Sequence, residues 1–126
     1  MPSRQLVARE LAALCSVFSH PDRIRLVEEL RSGEKDVNAL QAVLGVTHSR
    51  TSQNLAILRS RRIVAERREG RHVFYRLVHP AIATWLLQGL PFIEVDPEAA
   101  EQRRTAIEEV RVQWGATPSG GDDSGT

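Results

Sequence analysis

Apolar residues near the start of the chain recur with a helical period. Val7, Leu11, Leu14 and Phe18 stand at i, i+4, i+7 and i+11, one face of an amphipathic helix over about residues 4–18. Ser19-His20-Pro21 interrupts it, and proline at a first helical position starts a second helix from Pro21 to about Arg31, with Ile24, Val27 and Leu30 inward and Gly33 closing it. Asn38 followed by Gln41 reads as a capping box for a short third helix through Leu44, with Leu40, Val43 and Leu44 on its buried side and Gly45 as its stop. Thr47 caps a fourth helix to about Arg61, whose apolar stripe is Thr51, Leu55 and Leu58. At about 100° per residue, Ser49, Gln53, Ala56 and Ser60 then point away from the core, with Arg50 and Ser52 on the flanks.

After this helix the period changes. In IVAERREGRHVFYRL, Val73, Tyr75 and Leu77 alternate with His72, Phe74 and Arg76, and Glu69-Gly70-Arg71 supplies the turn of a hairpin that begins near Ile63. His79-Pro80 marks another helix start, and Ile82, Trp85, Leu86 and Leu90 make this helix unusually apolar until Pro91 ends it. Asp96-Pro97 opens a last helix through about Trp114, with Ile107, Val110 and Trp114 on one stripe. The remainder, ATPSGGDDSGT, has too few apolar groups to fold. The expected fold class is therefore mainly α with a small β-hairpin. A short helix, a break at Gly45-Val46-Thr47 and a longer helix with a polar outer face form a helix-turn-helix, and the hairpin reads as its wing. The expected organisation is a unit over residues 1–92, a helical extension over 93–114 and a disordered tail over 115–126.

The net charge of +1 hides a segregation of sign. Residues 1–47 balance six basic side chains against six acids, residues 48–76 carry eight arginines against two acids, and residues 77–126 carry three arginines against eight acids. The basic excess thus lies in the fourth helix and the hairpin, and all of it is arginine, whose planar fork suits phosphates and guanine edges. On the outer face of the fourth helix Ser49, Arg50 and Gln53, with His48 and Ser52 beside them, are candidates for contact with base edges; Arg67, Arg68, Arg71 and His72 on the hairpin are candidates for phosphate or minor-groove contact. Arg59, Arg61 and Arg62 read equally well as a solvated helix end.

Other chemistries find little support. The sequence has no Gly-rich phosphate loop, no His-Glu-x-x-His run and no nucleophile elbow, so an enzyme is not expected. Cys15 is the only cysteine, which rules out an internal disulfide; one turn from Leu11 and Phe18, it reads as a small buried hydrophobe in preference to a redox sensor. His20, His48, His72 and His79 lie one to a segment, without the spacing of a shared metal site, so neither metal nor cofactor is expected. No apolar run approaches the roughly 18 residues that cross a bilayer, and no signal-peptide core opens the chain, so the expectation is a cytoplasmic protein without a membrane partner.

Taken in order, the phrases FSHPDRIRLVEEL, LGVTHSRTSQNLAILRSRRIV and RREGRHVFYRL resemble the ArsR/SmtB family of bacterial winged-helix repressors over about residues 11–90. The resemblance implies a homodimer built on the first and last helices of the shared domain. Leu11, Leu14, Phe18, Trp85, Leu86 and Leu90 would then be its dimerisation residues, and the apolar character of the helix around Trp85 agrees. It also implies that the fourth helix enters the major groove of double-stranded DNA. A two-fold dimer places two such helices roughly 34 Å apart, matching a palindromic operator. Many metal sensors of that family carry cysteines around a valine at the start of the third helix. Here Asp36 and Asn38 flank Val37, and HPAIATWLLQGL offers only His79 toward the family's other metal site. The alternative function is a winged-helix dimer that holds another protein.

Overall fold

The computed structural model describes residues 2–93 and 99–123, without side chains for Pro2 or beyond Trp114. Helices α1 (Pro2–Val17), α2 (Pro21–Leu30), α3 (Val37–Leu44) and α4 (His48–Ser60) are followed by strands β2 (Val64–Glu69) and β3 (His72–Leu77), with a two-residue strand β1 (Lys35–Asp36) between α2 and α3. Then come α5 (Ala81–Leu87), a 3-10 turn (Leu90–Phe92) and α6 (Ala100–Asp123). The antiparallel sheet has the order β1-β3-β2. Its hairpin pairs Glu69 with His72 across the Gly70-Arg71 turn, where Gly70 takes φ +62°, a conformation that costs glycine nothing.

Two compact units are formed, residues 1–78 and 79–126. In the first, Leu26, Val27 and Leu30 of α2, Leu40 of α3, Leu55 and Leu58 of α4, and Val64, Tyr75 and Leu77 of the sheet are buried together. Each such leucine contributes about 1.5–3 kcal/mol on leaving water, so this cluster fixes the angle between α3 and α4. In the second unit α6 packs on α5. Because of that packing α5 groups with the C-terminal helix, whereas the sequence placed it in the unit ending at residue 92.

Several local expectations need correction. The cap of α3 is Asp36, whose Oδ1 accepts from the Asn38 amide at 2.6 Å; the Asn38–Gln41 capping box does not form, and the Gln41 amide instead donates to the Val46 carbonyl at 3.4 Å across the turn. Val43 is exposed, since α3 turns Leu40 alone fully into the core. Ile24 is only half-buried, its place in the core taken by Leu26. Cys15 is exposed in the single chain, on the side of α1 that carries Leu11. The Asp96-Pro97 helix start lies outside the described residues. The backbone of α6 continues nine residues past Trp114 to Asp123, through Pro118 and Gly120-Gly121, and nothing in those residues' helix propensities accounts for the continuation. The rest of the expected tail, residues 124–126, is outside the described residues.

Candidate nucleic-acid interface

The break between α3 and α4 is built by three residues. Gly45 ends α3 at φ +70°, with its amide bonded to the Gln41 carbonyl at 2.9 Å. Thr47 then caps α4, its Oγ1 accepting from the Arg50 amide at 3.1 Å, while the Thr51 hydroxyl donates to the Thr47 carbonyl at 3.0 Å. With Thr51, Asn54, Leu55 and Leu58 buried, α4 presents His48, Ser49, Arg50, Gln53, Ala56 and Ser60 to solvent and Ser52 half-buried at the edge, as the periodicity requires.

Asn54 is not marked out by the sequence pattern, although it holds the helix in place. Its Oδ1 accepts from Arg23 Nη1 at 3.1 Å, its Nδ2 donates to the Arg50 carbonyl at 3.1 Å, and Arg23 Nε donates to the Val17 carbonyl at 2.6 Å. Both side chains are buried, so one guanidinium ties the end of α1 to α4 through α2. The adjacent residue of α2, Asp22, lies 2.8 Å from Arg50 Nε, an ion pair without hydrogen-bond alignment. The only signal in the sequence is a polar residue on each of two apolar stripes, Arg23 beside Val27 and Leu30, and Asn54 beside Thr51, Leu55 and Leu58.

Arg62 ends α4 in the left-handed region at φ +60°, where glycine is usual. The Ile63 amide bonds to the Leu58 carbonyl at 2.9 Å and the Arg62 amide to the Arg59 carbonyl at 3.0 Å, and buried Ile63 and Leu58 are the apolar pair of this C-terminal motif. The geometry aims the chain from α4 directly into the wing.

Side chains alternate across a strand, so the register sorts the wing residues onto two faces. Glu66, Arg68, Val73 and Tyr75 share the face toward the helices, where Arg59 of α4 pairs with Glu66. Burial and the negative charge of Glu66 push the Tyr75 hydroxyl above its usual range. Arg67, Glu69, His72, Phe74 and Asp36 lie on the other face. There Arg67 is grasped by Glu34 through Nη2 at 2.7 Å and Nε at 3.1 Å, meets Glu69 at 2.6 Å, and lies 4.6 Å over the Phe74 ring. The hydrogen bond from Arg67 holds the Glu34 carboxyl below its usual range and raises the already high pKa of Arg67 further. His72 Nδ1 sits 2.9 Å from Asp36 Oδ2. The Asn38 amide first, and His72 second, hold the Asp36 carboxyl below its usual range. One carboxylate thereby caps α3 and braces the wing.

The eight arginines of residues 48–76 are therefore not equivalent. Arg50, Arg59 and Arg67 are paired with carboxylates; among the described residues Arg61, Arg62, Arg68, Arg71 and Arg76 have none. All five unpaired side chains are exposed. On the expected dimer surfaces, Leu11 is 53% exposed and Trp85 41%, with Leu6 and Val7 exposed beside Leu11, while Leu14, Leu86 and Leu90 are half-buried and Phe18 is buried within the single chain. Among the described residues no helix is long and apolar enough to cross a membrane, and no group of three or more His, Cys, Asp and Glu side chains is placed to hold a metal.

The sequence model of the bacterial regulatory protein arsR family matches residues 20–66, from the start of α2 into β2. Over 98 residues the chain is 37% identical to the biofilm growth-associated repressor of Agrobacterium fabrum, covering 78% of this chain and 83% of the relative. The crystal structure of the transcriptional repressor BigR from Xylella fastidiosa superposes with a TM-score of 0.61 at 33% identity, covering 73% of this chain and 91% of that one. The solution structure of a homodimeric winged helix-turn-helix DNA-binding domain from Mycobacterium bovis gives a TM-score of 0.61 at 26% identity, over 70% of this chain and 83% of that one.

Proposed function

Because this chain belongs to the arsR family of bacterial transcriptional regulators, we propose that it binds a palindromic operator as a homodimer through α4 and the unpaired arginines of its wing. The exposed face of α4, Ser49, Arg50 and Gln53 with His48 and Ser52 at its edges, enters the major groove, where arginine pairs with guanine and glutamine with adenine. Arg68 and Arg71 contact phosphates. Arg67 and His72, held by carboxylates, set the wing's position and contribute to DNA binding through it. The observation that carries this reading is the coincidence of a polar, uncovered helix face with exposed arginines that no carboxylate neutralises. The exposed apolar residues of α1 and of α5 supply the dimer contacts, and two α4 helices then lie about one DNA turn apart. At the family's metal-sensing positions the Asp36 side chain is committed to capping α3, where it accepts from the Asn38 backbone amide, which supports regulation by a signal other than a thiophilic metal.

Titration of a duplex of about 25 base pairs at several salt concentrations tests the reading. Binding that releases counterions weakens with a log–log slope of about −0.9 per phosphate contacted, so two wing arginines per protomer give a slope of about −3 to −4 for the dimer. A slope near zero excludes the wing from DNA.

A further inference from the structure

Arg50 lies beside two consecutive residues of α2: Asp22 Oδ2 forms an ion pair with its Nε at 2.8 Å, and Arg23 is bonded to Asn54, which donates to the Arg50 carbonyl at 3.1 Å. Arg50 Nε stands against Asp22 Oδ2 as an ion pair without hydrogen-bond alignment, and the side chain that carries the terminal Nη1 and Nη2 remains 63% exposed. Among the described residues no protein acceptor meets those terminal nitrogens. The Nη1/Nη2 pair has the spacing that guanine O6 and N7 accept in the major groove.

Building on the proposal that Arg50 touches bases, we infer that Asp22 is a positioning residue which orients Arg50 for guanine and so sets base preference at one position of each half-site. The Asp22 side chain is only 18% exposed, so α2 supplies a fixed anchor, and a free arginine would lose rotamer entropy on docking that this one has already given up. Asp22 itself repels phosphate. Its removal therefore raises binding slightly to sequences without the guanine while weakening the contact where the guanine is present, two effects of opposite sign that separate orientation from simple charge.

The test uses the full-length protein and a duplex selected by it from a random pool, with each base pair of one half-site substituted in turn. Asp22→Asn keeps size and removes the ion pair. It should lower guanine preference at a single position by about three- to tenfold, leave preferences elsewhere unchanged and keep the wild-type Tm. Asp22→Glu should restore part of the preference. In an Arg50→Ala background, which itself abolishes guanine preference there, Asp22→Asn should have no further effect on preference. If Arg50→Ala alters no base preference, or no sequence is selected from the pool, the base-contact reading fails and this inference with it. If Arg50→Ala alters preference while Asp22→Asn changes affinity equally on all sequences, or still shifts preference in the Arg50→Ala background, the base-contact reading stands and the positioning role of Asp22 is overturned.

Discussion

Replacing Asn54 by alanine removes the acceptor of a buried guanidinium. Arg23 is 6% exposed and Asn54 9%, and the bond between them is 3.1 Å long. A hydrogen bond to a charged group contributes about 1.5–3 kcal/mol, and the buried donor left behind adds a desolvation penalty of similar kind. Loss of the second bond, Asn54 Nδ2 to the Arg50 carbonyl, adds little because that carbonyl stays within the helix. The expected destabilisation is about 2–4 kcal/mol, a large fraction of the roughly 5–15 kcal/mol typical of a folded domain. Urea unfolding followed by circular dichroism at fixed protein concentration measures it, since a dimer's midpoint moves with concentration. The double variant Arg23→Met/Asn54→Leu removes both polar partners and should recover most of the loss. A loss below about 0.5 kcal/mol for Asn54→Ala, or a double variant at the sum of the two single losses, would refute the view that this pair locks α4 in place.

Arg68→Ala and Arg71→Ala should each weaken binding about equally on all DNA sequences and reduce the salt slope by about one for each phosphate no longer neutralised; Arg67→Ala should leave the slope nearly unchanged while increasing hydrogen exchange in β2 and β3. The native carboxyls of Glu34 and Asp36 titrate below their usual values, so their contribution to stability is complete above the unfolded values near pH 4 and is lost as the pH falls through the lowered native ones. Acid titration of Glu34→Gln and Asp36→Asn should accordingly show a flatter loss of stability than wild type below about pH 4. Arg62→Gly relieves a left-handed arginine and should stabilise the fold by about 0.5–1 kcal/mol in urea unfolding, after the greater freedom of glycine in the unfolded chain is counted; a destabilised variant would show that the Arg62 side chain makes a contact that offsets its strain.

What can be read from the chain is set by locality. The Thr47 cap, the Gly45 stop, the Gly70 turn and the outward face of α4 depend on residues within a few positions of each other, and each occurs as the pattern requires. Strand β1 escapes because two residues carry no period, and without it the cap of α3 falls to Asn38 in place of Asp36, the next residue of suitable chemistry. The pairing of Arg23 with Asn54 spans 31 residues and that of Arg67 with Glu34 spans 33, distances over which sequence shows a polar residue on a stripe and gives no hint of its partner. The same limit applies to charge. Eight arginines against two acids between residues 48 and 76 describe a basic segment, yet Asp22 and Glu34, from outside it, neutralise two of those arginines in space. The periodicity places the end of α4 to within a residue, but its left-handed Arg62 is invisible to it because the usual marker, glycine, is absent.

Selection of bound duplexes from a random pool, run in parallel with wild type and Gln53→Ala, tests the central claim most directly. The account expects wild type to recover a palindrome whose half-sites lie about 10 base pairs apart, centre to centre, and Gln53→Ala to recover the same palindrome with preference relaxed by about 1–3 kcal/mol at one position in each half-site. Recovery of no common sequence by wild type, or of an identical preference at every position by Gln53→Ala, would contradict the placement of α4 in the major groove.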